Sequence, residues 1–200
     1  MADLSISKEH MRSPKRQYRM RRRAEQVDET RQRITEAAVK LHTSLGPAHT
    51  TISGVAEEAG VTRLTVYRHF EDQDALFVAC MGHWSAANPG PDLDRWRATE
   101  PLEARARLAL GELYAWYHGR HEELYPIYRD RSAMPESAEQ TLAAQNDAIA
   151  AAIAGPDQGA VRAAVARHLT DFWTWRSLVV ERGLGIDEAT DAAVAMLLAV

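Results

Sequence analysis

Apolar residues recur every three to four positions along most of the chain, and no stretch alternates with period two, so the pattern predicts an all-α protein. Val27, Ile34, Ala37, Ala38, Leu41 and Leu45 form one apolar stripe over 27–45, stopped by Gly46 and Pro47. Ile52, Val55 and Ala56 mark a short helix over 51–59, with Thr50 or Thr51 as its N-cap. Gly60 permits a sharp stop, and Val61 is placed to close the corner. Thr62 caps a second short helix marked by Val66, Tyr67 and Phe70. Asp72 caps a third, which carries Ala75, Leu76, Ala79 and Cys80 and runs to about Ala87. Asn88, Pro89, Gly90 and Pro91 break it, and the segment to Thr99 reads as a loop pinned by Trp96.

Pro101 suits the first position of the next helix, which carries Leu102, Ala106, Ala109, Leu110, Leu113 and Trp116 to about His118. Gly119 divides it from a shorter segment through Tyr128, with Pro126 near its end. A turn at 132–135 leads to a helix over 136–154, ended by Gly155, Pro156 and Asp157. From 158 to 181 the pattern predicts one helix with two apolar sides. Val161, Val165, His168, Phe172, Trp175 and Val179 lie along one side, and Leu169, Trp173 and Val180 beside them. A monomer surface rarely needs both, so one side is expected to face a partner subunit. Gly183 and Gly185 make a turn, and Asp187 caps a last helix with Ala189, Ala192, Ala193, Met196, Leu197 and Val200.

Helix, tight turn and helix over 51–70 form a helix-turn-helix pattern, whose second helix would enter a major groove. Spacing places Arg63, Leu64, Thr65 and His69 on or near its outer surface. An ordinary threonine-capped helical hairpin has the same spacing. The run VAEEAGV, then TVYRHF, then DALF closely resembles the DNA-binding domain of the TetR-type transcriptional regulators, over about Thr30 to Phe77. The resemblance implies a three-helix DNA-binding head joined to a helical ligand-binding and dimerisation body. It implies base contacts from Arg63 and Thr65, with the methyls of Leu64 against a thymine, and phosphate contacts near Thr51, Thr62, Tyr67 and His69. The start of the preceding helix adds Arg31 and Arg33 on the same ground. The chain departs from the family at Gln73, where a lysine is usual; Gln73 still donates a hydrogen bond, but without charge. Resemblance also implies that the last two long helices of each subunit form a four-helix dimer interface, here through Val161, Val165, Trp175, Val179, Ala193, Met196 and Leu197.

Charge agrees with a single polyanion-facing end. The net charge of −4 divides into 13 Lys and Arg against 8 Asp and Glu over 1–70, and 11 against 20 over 71–200. An anionic membrane surface would repel most of so acidic a body. Residues 1–26 read either as a solubilising tail or as a basic arm along phosphates or a minor groove, with Arg21, Arg22 and Arg23 near the first helix. No apolar run approaches the ~20 residues that span a bilayer, and no apolar segment follows the basic N-terminus, so the expected location is the cytoplasm. The single Cys80 allows no internal disulfide and reads as a small buried hydrophobe.

No enzyme constellation is present in the pattern: no phosphate loop, no clustered metal ligands and no triad spacing, so no catalysis and no cofactor are expected. His118, His121 and Glu122 are close in sequence, but Gly119 interrupts them and a metal is not expected. Large aromatics cluster beyond residue 80 and serve either a helical core or a pocket for a flat or amphipathic molecule. The family resemblance favours a pocket for a small effector, with Trp84, Tyr114, Trp116 and Tyr117 as candidates, together with His121, Tyr128, Phe172 and Trp173. The acidic body favours a neutral or cationic compound.

The expected organisation is an arm (1–26), a head (27–72) and an effector and dimerisation body (73–200). The expected function is a homodimeric regulator that reads a pseudo-palindromic operator in duplex DNA and is released by a small molecule. The alternative is a helical small-molecule-binding protein that does not use its head on DNA.

Overall fold

The computed structural model describes residues 14–156 and 159–200. Among them every regular element is helical and none is a strand, as the periodicity predicts. The head comprises α1 (Pro14–Ser44), α2 (Ile52–Glu58), α3 (Arg63–His69) and the start of α4 (Gln73–Ala87). The body adds α5 (Leu93–Arg97), α6 (Leu102–His118), α7 (His121–Arg129), α8 (Glu136–Ala154), α9 (Ala160–Leu169), α10 (Phe172–Arg176) and α11 (Ile186–Leu198). A π-helical turn, Ser177–Glu181, continues α10.

Caps set the short head helices. The Thr51, Thr62 and Asp72 side chains accept from the backbone N–H of Gly54, Thr65 and Ala75, closing the first turns of α2, α3 and α4. Ile34, Ala37, Ala38, Val55, Ala56, Val66, Phe70, Leu76 and Cys80 form the head core, with Val61 packed at the corner. Gly60 has φ +65°, and the Val61 N–H returns to the Ala56 carbonyl at 2.9 Å. No atom lies near the place a Cβ would occupy, so only backbone strain opposes a side chain there. Gly60→Ala is therefore expected to cost about 1 kcal/mol in urea unfolding, with Gly60→Asn costing less. An unchanged midpoint for the alanine variant would show that the turn does not need its left-handed residue.

Several boundaries differ from the sequence expectation. The first helix begins at Pro14, not near Val27. Residues 18–26 are rich in strong helix formers, and Arg21 pairs with Glu25 at 3.0 Å one turn on. The helix needs no apolar stripe there, and Val27 and Leu45, expected in the core, are both 48% exposed. Residues 1–13 of the expected arm lie outside the described residues. The expected loop at 88–99 contains α5, capped by Asp92, with Trp96 fully buried and its Nε1 donating to Glu112 at 2.7 Å. Pro101 holds the N-cap position, not the first helical one. Gly185, not Asp187, precedes the last helix, and the Glu188 carboxylate accepts from its N–H at 2.9 Å.

The expected continuous helix over 158–181 is broken at Thr170 and Asp171. Tyr114 and Tyr117 hydroxyls donate to the Leu169 and Thr170 carbonyls at 2.9 and 3.0 Å, satisfying the end of α9. Asp171 then caps α10 by accepting from Trp173 N. The break turns Phe172 and Trp175 into the body core beside Leu110, Leu113 and Tyr117.

Head and body share two helices. On α4, Leu76 and Cys80 face the head core, while Phe77 packs on Met134 and Ala138 of the body. Beside them, Arg129 at the end of α7 donates to the Leu45 carbonyl at 2.7 Å, and Asp130 accepts from Ala48 N at 3.2 Å. Hydrogen bonds from Arg129 hold the Asp130 carboxyl below the usual carboxylate range. Gly46, at φ +97°, makes room for this contact, since a Cβ there would lie 2.1 Å from Asp130 Oδ2.

Candidate nucleic-acid interface and body cavity

Val66 and Phe70 anchor α3 to the head core, so the opposite side of the helix faces solvent. Arg63, Leu64, Tyr67 and Arg68 are exposed there, Leu64 at 61%. Arg68, which the sequence reading did not include, stands one turn beyond Leu64 on the same side. Thr65 and His69 are half-buried at the flank. The Thr65 and Thr62 hydroxyls lie 2.9 Å apart, so one donates to the other. Exposed Thr51 and Gln73 stand at the first turns of α2 and α4. Arg31 is turned toward α3: its guanidinium donates to the His69 carbonyl and lies over the Phe70 ring at 4.1 Å. Arg33, two residues on, projects from the other side of α1, so the two arginines do not share a face.

Residues 34–80, which include this helix-turn-helix, match the family model described as bacterial regulatory proteins, tetR family. The head is that of the TetR family. The chain is 42% identical over 62 residues to the HTH-type transcriptional regulator TtgR of Pseudomonas putida, covering 31% of this chain and 30% of that protein. It is 44% identical over 85 residues to the HTH-type transcriptional regulator SrpR of Pseudomonas putida, covering 41% and 40%. The chain thus matches under half the length of these curated relatives. A tetR-family transcriptional regulator from Streptomyces coelicolor has the same fold, with a TM-score of 0.59 and 21% identity over 86% of this chain and 80% of that one.

Behind the TetR-family head lies a cavity of about 350 Å³. Val39, His42 and Thr43 of α1 and Phe77, Cys80, Met81 and Trp84 of α4 form one wall. Leu113, Trp116 and Tyr117 of α6, Leu124, Ile127 and Tyr128 of α7, and Leu142, Asn146 and Ile149 of α8 face it, and Glu123, Met134 and the turn from Asn88 to Leu93 also contribute to the lining. Its size and mostly apolar lining are those of a small-molecule site. His42 packs on Phe77 at 4.7 Å between ring centroids, and its Nδ1 lies 3.3 Å from Cys80 Sγ. Burial pushes His42 down to about 4 and the Cys80 thiol up to about 12, so at neutral pH both are uncharged.

Of the residues expected to bind an effector, Trp84, Trp116, Tyr117 and Tyr128 line this cavity. Tyr114, His121, Phe172 and Trp173 do not. Tyr114 is fully buried beneath α9, and burial pushes its phenol up. Phe172 stacks on Tyr128 at 4.5 Å inside the core, Trp173 rests on Tyr125 at the surface, and His121 stacks on His118. Periodicity marks such residues as apolar without saying which cavity, core or surface they meet. His42 is a polar residue on the Ala38–Leu41–Leu45 stripe, and its spacing alone does not show that it lines the cavity.

The expected dimer residues divide in the same way. Val161 and Met196 are exposed, and Val165 and Val179 half-buried. Trp175, Ala193 and Leu197 are fully buried within one protomer, so they have no surface to offer a partner. Val180 and Leu198 are exposed on the same elements.

Proposed function

We propose that the chain is a transcriptional regulator with no chemical step of its own. Two copies read a pseudo-palindromic operator in duplex DNA through α3, and a small effector in the body cavity releases them. The observation that carries this reading is the shared wall. The cavity faces of α1 and α4 belong to the helices that build the head core, so a molecule displacing His42 or Phe77 acts on the placement of α3 without an intermediary. In this reading Arg63, Leu64 and Thr65 meet base edges, while Thr51, Thr62, Tyr67, His69 and Gln73 stand near phosphates. Arg68 joins the phosphate contacts. Repression by occupying the operator is the sense that the family resemblance supports.

The test has two steps. Duplexes enriched from a random pool should share a two-fold symmetric site bound well above random DNA. Compounds that bind the free protein are then titrated into the complex with that duplex. An effector must lower DNA affinity by the factor by which DNA lowers its own. Failure to enrich any duplex at low salt would leave the small-molecule-binding alternative.

The dimer in this reading uses the exposed apolar side of α9, the π-helical turn and α11: Val161, Val180 and Met196, with Val165 and Val179. Arg162 Nε donates to the Val200 carbonyl at 3.1 Å, tying α9 to the end of α11 beneath that side. Sedimentation of the unmodified protein at micromolar concentration should give twice the 22.3 kDa of one chain. Met196→Glu should shift it to the monomer mass while leaving helicity intact, because Met196 is exposed in the protomer. A dimer unaffected by that charge would place the contact elsewhere.

A further inference from the structure

The charge around the cavity narrows what it accepts, on the reading that this cavity holds the effector. Among the described residues, Glu123 is the only lining residue charged at neutral pH; no lysine, arginine or aspartate among them lines it. Glu123 is exposed at the rim, where its carboxylate accepts from Trp84 Nε1 at 2.8 Å. Trp84 and Trp116 meet edge to face there, with ring centroids 5.9 Å apart. Buried Phe77, Leu113, Leu124 and Met134 make an apolar floor. Two arginines stand behind the lining, and both are engaged. Arg120 stacks on Trp116 at 5.1 Å and donates to Asn88 Oδ1 at 3.1 Å. Arg131 pairs with Glu139 at 2.7 Å.

We infer that the cavity takes an amphipathic monocation: an apolar or aromatic body on the floor, and an ammonium at the rim against Glu123 and an indole face. The carboxylate supplies the charge, and the indole adds attraction that a neutral head does not receive. A carboxylate or phosphate head would instead face Glu123 with no cation among the described lining residues to offset it.

Three probes of similar body and different charge separate the possibilities: 4-phenylbutyltrimethylammonium, 4-phenylbutan-1-ol and 5-phenylpentanoate. Each is titrated into the full chain and into Glu123→Gln, followed by calorimetry and by tryptophan emission, since Trp84 and Trp116 border the rim. Glu123 is exposed and glutamine still accepts from Trp84, so the variant should fold. The ammonium should bind about tenfold more tightly than the carboxylate, and Glu123→Gln should weaken the ammonium about fivefold while leaving the alcohol unchanged. The inference is overturned if the carboxylate binds as tightly as the ammonium, or if Glu123→Gln leaves ammonium affinity unchanged. Should the alcohol or the acid bind best and still release the operator, this inference falls while the regulatory reading stands. Should no probe bind at millimolar concentration, this inference falls, and the regulatory reading stands or falls with the operator test above.

Discussion

Replacing Arg63 and Arg68 together with alanine will lower affinity for the selected operator by about a hundredfold or more, about 3 kcal/mol. Both side chains are exposed on α3, away from the Val66 and Phe70 anchors, so unfolding of the protein should change little. The two contributions differ in kind. Arg63 begins α3, where the N-terminal residues of a recognition helix reach base edges. Its loss alone should relax sequence preference, costing about 1–3 kcal/mol at one base step. Arg68 lies toward the other end of the helix, and its loss should weaken all duplexes alike and reduce the salt slope by about 1. Competition binding at two salt concentrations separates these effects. Operator affinity unchanged in the double variant would remove α3 from the interface.

Acidification will destabilise the protein through His42 by up to about 3 kcal/mol. Its folded-state value is lowered by burial from 6.5 to about 4. Between those values the unfolded chain takes up a proton that the folded chain excludes. The stability that His42 supports is therefore complete above pH 6.5, is lost as the pH falls toward 4, and changes no further below. Urea unfolding across this window, compared between the native protein and His42→Phe, isolates the effect from the surface carboxylates. Phenylalanine keeps the ring contact with Phe77 and removes the titration. Parallel pH profiles for the two proteins would show that His42 is not buried as a neutral ring.

The helix-turn-helix was legible because its determinants are local. Thr51 with Gly54, Thr62 with Thr65, and Gly60 with Val61 each act within a few residues, and those spacings appear directly in the chain. The helical class, the stop at Gly155 and the position of α8 were legible for the same reason. The outer side of α3 was legible only as a face, and burial of Val66 and Phe70 adds Arg68 to its exposed side.

By itself, then, the sequence determined an all-helical chain with a helix-turn-helix near its start, because capping and helical periodicity are set over a few residues. Only the tertiary structure decided what each apolar stripe packs against. An apolar side chain leaves water equally well for a core, a cavity or a partner subunit, since the hydrophobic effect is non-directional. Trp175 and Leu197 therefore read as seam residues and proved to be core, and Phe172 read as a pocket residue and stacks beneath Tyr128. The break between α9 and α10, which moved them, depends on tyrosine hydroxyls that lie more than fifty residues earlier, at Tyr114 and Tyr117. Contacts across that separation are set by how helices pack, and periodicity along one helix carries no information about them.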